Sequence, residues 1–122
     1  MGEKILLVQV SEPETSQIRK LADNKGICVN CVMEENYGCT LSELECSSKQ
    51  KPAEQKAGVR LPAQSLIIFC NVTPKHFDKF LFELRSKEIL VDFKAVLTET
   101  NRNWTLERLY MELIRERIAF KR

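Results

Sequence analysis

With 122 residues, 43% of them hydrophobic, the chain is long enough for one buried core and too short for two full domains. Its 19 Lys and Arg stand against 17 Asp and Glu, a net charge of +2, which excludes a polyelectrolyte built for nucleic acid or acidic membranes and argues against global disorder. A single histidine, His76, excludes multi-histidine metal sites and is the only available base for a Ser-His-Asp or Cys-His arrangement.

The first apolar run, Ile5-Leu6-Leu7-Val8, is too short for a signal-peptide core or a membrane span, and it reads as a strand from Lys4 to Val10 covered on both faces. Gly2 is not followed by Ser or Thr at position 6, where Leu6 stands, so the myristoylation pattern fails. Ser11 and Glu14 have the spacing of a capping box, and Ile18, Leu21 and Ala22 continue as a helix that Gly26 stops. Ile27 to Val32 reads as a second strand, and Thr40-Leu41-Ser42-Glu43-Leu44 as the start of a short helix. Residues 47–65 carry four basic and one acidic side chain with no apolar periodicity, the pattern of a flexible basic linker.

After the linker come a strand at Leu66-Ile67-Ile68-Phe69-Cys70 and a helix capped by Thr73 with Pro74 at its first position. Phe77, Phe80, Leu81 and Leu84 make its apolar stripe. Val91, Phe93, Ala95 and Leu97 alternate as a strand, and a last helix runs from about Trp104 to Ala119. Ile5-Leu6-Leu7-Val8 aligns with Leu66-Ile67-Ile68-Phe69 at an offset of 61, where Pro13 also meets Pro74, and Thr40-Leu41 aligns with Thr105-Leu106 at 65. The chain therefore reads as one domain of two related halves, 1–46 and 66–122, an internal repeat joined by the linker. The predicted class is α+β: two βαβ-type repeats forming a four-stranded sheet with helices mainly on one face, ferredoxin-like, plus an extra C-terminal helix. The alternative is an α/β doubly wound sheet.

The order Ile67-Ile68-Phe69, Phe77-Asp78-Lys79-Phe80-Leu81, then Lys94-Ala95-Val96-Leu97-Thr98 and Asn101-Arg102-Asn103-Trp104-Thr105-Leu106, resembles a small bacterial family known as domain of unknown function 3783. The resemblance covers the C-terminal half and implies a bacterial, uncharacterised relative without an assigned activity.

Five cysteines, an odd number, with no export signal point to reduced thiols in the cytoplasm. Cys28, Cys31, Cys39 and Cys46 offer an alternative reading as a zinc, iron-sulfur or redox site, but a C-x-x-C inside a strand turns its thiols to opposite faces. Aligned at 65, Cys31, Cys39 and Cys46 fall on Val96, Trp104 and Met111, which makes burial in the core the favoured role. His76 is expected to face solvent or the helix edge. The polar loop Thr98, Thr100, Asn101, Arg102 and Asn103, between a strand and a helix, could offer amides to a small anion or nucleotide. Nucleotide-binding, nucleophile-elbow and zinc-protease motifs do not occur. The sequence thus favours a non-enzymatic cytoplasmic binding module with no predicted cofactor. Its partner would be a protein or a second copy, met through an open sheet edge or through Tyr110, Met111 and Phe120 of the last helix.

Overall fold

The structure, a computed structural model, describes residues 2–46 and 58–120, the last three of these by their backbone alone. The elements are β1 (Lys4–Val8), α1 (Glu12–Asp23), β2 (Cys28–Cys31), a 3-10 turn (Glu34–Asn36), α2 (Leu41–Cys46), β3 (Leu66–Cys70), α3 (Pro74–Ser86), β4 (Phe93–Val96) and α4 (Leu106–Phe120). Of the expected linker, residues 47–57 lie outside the described residues, and 58–65 contain no helix or strand. Two compact units result: Met1–Cys31 with Gln64–Leu97, and Val32–Ala63 with Thr98–Arg122. Each sequence half thus gives its βαβ part to the first unit and its later, helical part to the second.

The first unit is a four-stranded mixed sheet in the order β2-β1-β3-β4, within the expected α+β class. β1 runs parallel to β2, β3 parallel to β4, and β1 antiparallel to β3. That central antiparallel pair excludes the doubly wound alternative. Each βαβ unit is contiguous rather than split, because every helix returns the chain to the strand beside the one it left. The two strands with unbroken apolar runs take the centre: Ile5, Leu7, Ile67 and Phe69 face one way and pack on Ile18, Leu21 and Ala22 of α1 and Phe80 and Leu84 of α3. Leu6, Val8, Leu66, Ile68 and Cys70, on the opposite face, are also buried, which accounts for the lack of polar alternation. The rings of Phe77 and Phe80 meet Phe69 edge-on, with centroids 5.0 and 5.6 Å away.

Sequence chemistry sets the helix ends. Ser11 is extended but its side chain makes no capping bond, so the Ser11–Glu14 capping box does not form; Pro13 and the acidic Glu12 and Glu14 suit the first turn instead. Gly26, at φ +69°, lets the Ile27 N–H turn back to the Ala22 carbonyl at 3.0 Å. Thr73 does cap α3, accepting from the His76 N–H at 3.3 Å. Here Glu88, at φ +53°, occupies the left-handed turn, and the Ile89 N–H returns to the Leu84 carbonyl at 2.9 Å.

These features correspond at an offset of 62, not 61: β1 to β3, α1 to α3, Gly26 to Glu88, and the positive-φ residues Gln9 (56°) to Asn71 (59°). The difference matters because an offset of 61 would set Ile5, on the helix face, against Leu66, on the other face. From Cys28 and Phe93 onward the offset is 65, so Leu90, Val91 and Asp92 are three extra residues between α3 and β4.

In the second unit, Thr40 and Glu43 form a reciprocal capping box: the Thr40 N–H donates to Glu43 Oε1 at 2.8 Å and the Glu43 N–H to Thr40 Oγ1 at 3.3 Å. Thr105 caps α4 through the Arg108 N–H at 3.3 Å, which starts that helix two residues later than the sequence suggests. Thr40 and Thr105 form an isolated antiparallel bridge. Leu41, Leu44, Leu106, Leu109 and Tyr110 are buried. Among the described residues no helix is long and apolar enough to cross a membrane.

Candidate functional site

The two βαβ units of the sheet carry comparable grooves between helix and edge strand, and the side chains in them differ. Between α1 and β2 lies a shallow groove of about 340 Å³, lined by Arg19, Asp23, Ile27, Cys28, Val29 and Asn30 around Gly26. Arg19 crosses to the edge strand: Nη1 donates to the Val29 carbonyl at 3.4 Å and Nη2 to Cys31 Sγ at 3.4 Å. A guanidinium on an edge carbonyl blocks strand addition there.

Between α3 and β4 the groove widens to about 700 Å³. Leu81 stands at the offset position of Arg19 and cannot reach the strand as a donor. Leu81, Leu84, Ile89 and Val91 supply apolar lining, and Arg85, Glu88 and Lys94 the charges. Leu90, from the three extra residues, stands at the rim 79% exposed, and Val96 of β4 is 45% exposed. In the parallel ladder the Phe93 N–H bonds the Ser65 carbonyl and the Leu97 N–H the Phe69 carbonyl, so the peptide groups of Lys94, of opposite parity, turn away from β3. The Lys94 ammonium folds back to the Val91 carbonyl at 3.5 Å.

Two polar clusters brace the same unit. Lys25, its side chain almost fully buried, lies over the Phe80 ring, donates to the Leu21 carbonyl at 3.1 Å and pairs with Glu83, tying α1 to α3. Glu3 accepts from the Thr73 N–H at 2.9 Å and bonds His76 Nδ1 at 2.8 Å. The Thr73 amide and then His76 hold the Glu3 carboxyl below its ordinary value against the opposing effect of burial. His76 is therefore engaged with Glu3, the residue before β1, rather than simply facing solvent.

The other expected site residues fall as follows. In the loop after β4 the Thr98 N–H donates to Asn101 Oδ1 at 2.8 Å and the Asn101 N–H to Thr98 Oγ1 at 3.1 Å. The Arg102 and Trp104 amides also donate inside the loop, and Arg102 pairs with Glu99 at 3.3 Å and Glu45 at 3.8 Å. Thr100 and Asn103 are exposed. These four amides and the guanidinium are thus engaged within the unit. Cys39 and Cys70 are buried as expected, but Cys28, Cys31 and Cys46 are exposed. That is a correction with a visible cause: Cys28 and Cys31 lie on opposite faces of an edge strand, and Val96 and Met111, aligned with Cys31 and Cys46, are themselves exposed. No group of three or more His, Cys, Asp or Glu among the described residues is arranged to hold a metal. Tyr110 is fully buried in the second unit and offers no anchor, because it follows Leu106 and Leu109 on the inner face of α4; Met111 is 58% exposed, and the side chain of Phe120 lies outside the described residues.

Arg19, Leu81, Leu90 and Lys94 carry no site motif in the sequence, where Leu81 reads only as part of the apolar stripe of α3. The signal was present in the change of offset between the halves, which locates the three extra residues only when the strands are set in register.

A family model described as Domain of unknown function (DUF3783) matches residues 65–120. That span contains β3, α3, β4 and α4, so the α3–β4 groove lies inside it and the α1–β2 groove outside. No curated protein and no solved structure matches the chain.

Proposed function

We propose that the chain is a non-enzymatic protein-binding module of duplicated build, whose binding face is the α3–β4 groove with the β4 edge. The observation that carries this is Leu90: a leucine 79% exposed beside an apolar groove, in the loop that leads into β4, the edge strand to which no arginine among the described residues is bonded. Solvent exposure of a leucine beside an open apolar cleft is unfavourable in isolation and is relieved when a partner covers both. Duplication is supported by the matched positive-φ turns at Gln9 and Asn71 and by the matched helix ends at Gly26 and Glu88. Three added residues and leucine in place of arginine accompany a groove of about 700 Å³ in the second unit against about 340 Å³ in the first.

The test is photo-cross-linking in the native cells with a benzophenone amino acid in place of Leu90 or, on the other groove, of Cys28. The proposal expects one discrete protein adduct from position 90 and none from position 28. Equal labelling from both positions, or no protein adduct from position 90, would refute it.

A further inference from the structure

Resting on the α3–β4 groove being a protein-binding face, we infer that its occupant is a second copy of this chain, joined through the same groove about a twofold axis. A twofold contact uses one patch on both subunits, so the patch must contain its own complement. This one does. Leu90 projects from the rim, and the apolar lining of Leu81, Leu84 and Ile89 beside it has room for a leucine side chain within about 700 Å³. Each subunit supplies a knob to the other's groove and receives one.

The charges point the same way. Arg85 and Lys94 share the groove with Glu88, and a patch of mixed sign can set its carboxylate against the cations of its mate. A groove of one sign would repel its own copy. The far edge of the sheet then fixes the stoichiometry. A head-to-tail contact from β4 of one copy to β2 of the next would propagate without end, and Arg19 on the Val29 carbonyl occupies that edge. Association therefore closes at two.

The experiment is sedimentation equilibrium of the purified full chain across a wide concentration range. The expected mass is that of a dimer of the 14.1 kDa chain. Leu90→Asp, at a position too exposed to disturb folding, weakens the dimer by at least about 30-fold, as for the loss of a central apolar anchor, with an unchanged circular dichroism spectrum. Met111→Asp, on α4, leaves the dimer intact. A wild-type monomer at millimolar concentration, a dimer indifferent to Leu90→Asp, or a dimer lost in Met111→Asp would each overturn the inference. A wild-type monomer accompanied by an adduct of a different protein at position 90 removes the second copy as partner and leaves the binding face standing. A monomer with no adduct removes both.

Discussion

The α1–β2 and α3–β4 units share backbone turns and parallel strand pairing, yet an arginine bonds the edge strand of one and not of the other. At the first, Arg19 bonds the edge strand; at the second, its counterpart Leu81 lines a cleft, and three additional residues raise Leu90 above it. The lesson is that two units alike in backbone can differ in the surface they present, and the proposed function rests on that difference. The shared features hold the sheet, and the differing ones leave an unfilled surface on one side only.

The largest expected effect tests what the two units share. Removing the carboxylate of Glu83 strands the buried ammonium of Lys25 between the helices, and Glu83→Ala should cost about 2–3 kcal/mol in urea unfolding, discounted for the partial exposure of Glu83. A loss below about 0.5 kcal/mol, the level of a surface pair, would show that the units are not tied there. Next in size is the proposed binding face: replacing the exposed Leu90 by Ala should leave thermal unfolding unchanged at concentrations where the wild type is monomeric, while reducing the cross-linkable or self-associating fraction severalfold. A matching drop in melting temperature would make Leu90 a core residue instead.

A smaller, pH-dependent effect belongs to Glu3, which joins the start of β1 to the start of α3; at the offset of 62 its counterpart is Ser65, which bonds Asp92 instead. A carboxyl held below its ordinary value stabilises the fold above the unfolded-state value, and this contribution is lost as pH falls through the folded-state value. The melting temperature of Glu3→Gln should therefore lie below that of the wild type at neutral pH, and the two should converge in acid below the ordinary glutamate range. A constant difference across that range would remove the Glu3–Thr73–His76 cluster as the cause. The smallest change exploits the turn where Gly26 has Glu88 as its counterpart. Glu88→Gly relieves a non-glycine residue from the left-handed region and should raise stability by up to about 1 kcal/mol, whereas Gly26→Ala should lower it by a similar amount.

Much of this architecture was legible in the sequence. The unbroken runs at Ile5–Val8 and Leu66–Cys70 announced buried central strands, and Thr73-Pro74 and Gly26 marked helix ends that the structure reproduces. The strand order was not legible, since hydrophobic periodicity reports which face is buried and not which strand is the neighbour. Ser11 misled because a capping residue must also aim its side chain, and Tyr110 because an aromatic on an amphipathic helix carries no label for inside or outside. The cysteines divide by location: Cys39, in the bend before α2, and Cys70, in the central strand β3, are buried, while Cys28 and Cys31 lie on a short edge strand whose exposure the bare C-x-x-C spacing did not convey. The proposed binding face was invisible for a related reason. Leu81 and Leu90 look like ordinary core leucines until the register sets one against Arg19 and places the other among residues with no counterpart.

The most direct measurement is the cross-linking yield from position 90 in two reciprocal backgrounds, Leu81→Arg and Arg19→Leu. If groove chemistry separates the two units, Leu81→Arg should lower that yield at least tenfold and Arg19→Leu should leave it unchanged. A yield insensitive to Leu81→Arg, or one abolished by Arg19→Leu alone, would contradict the account.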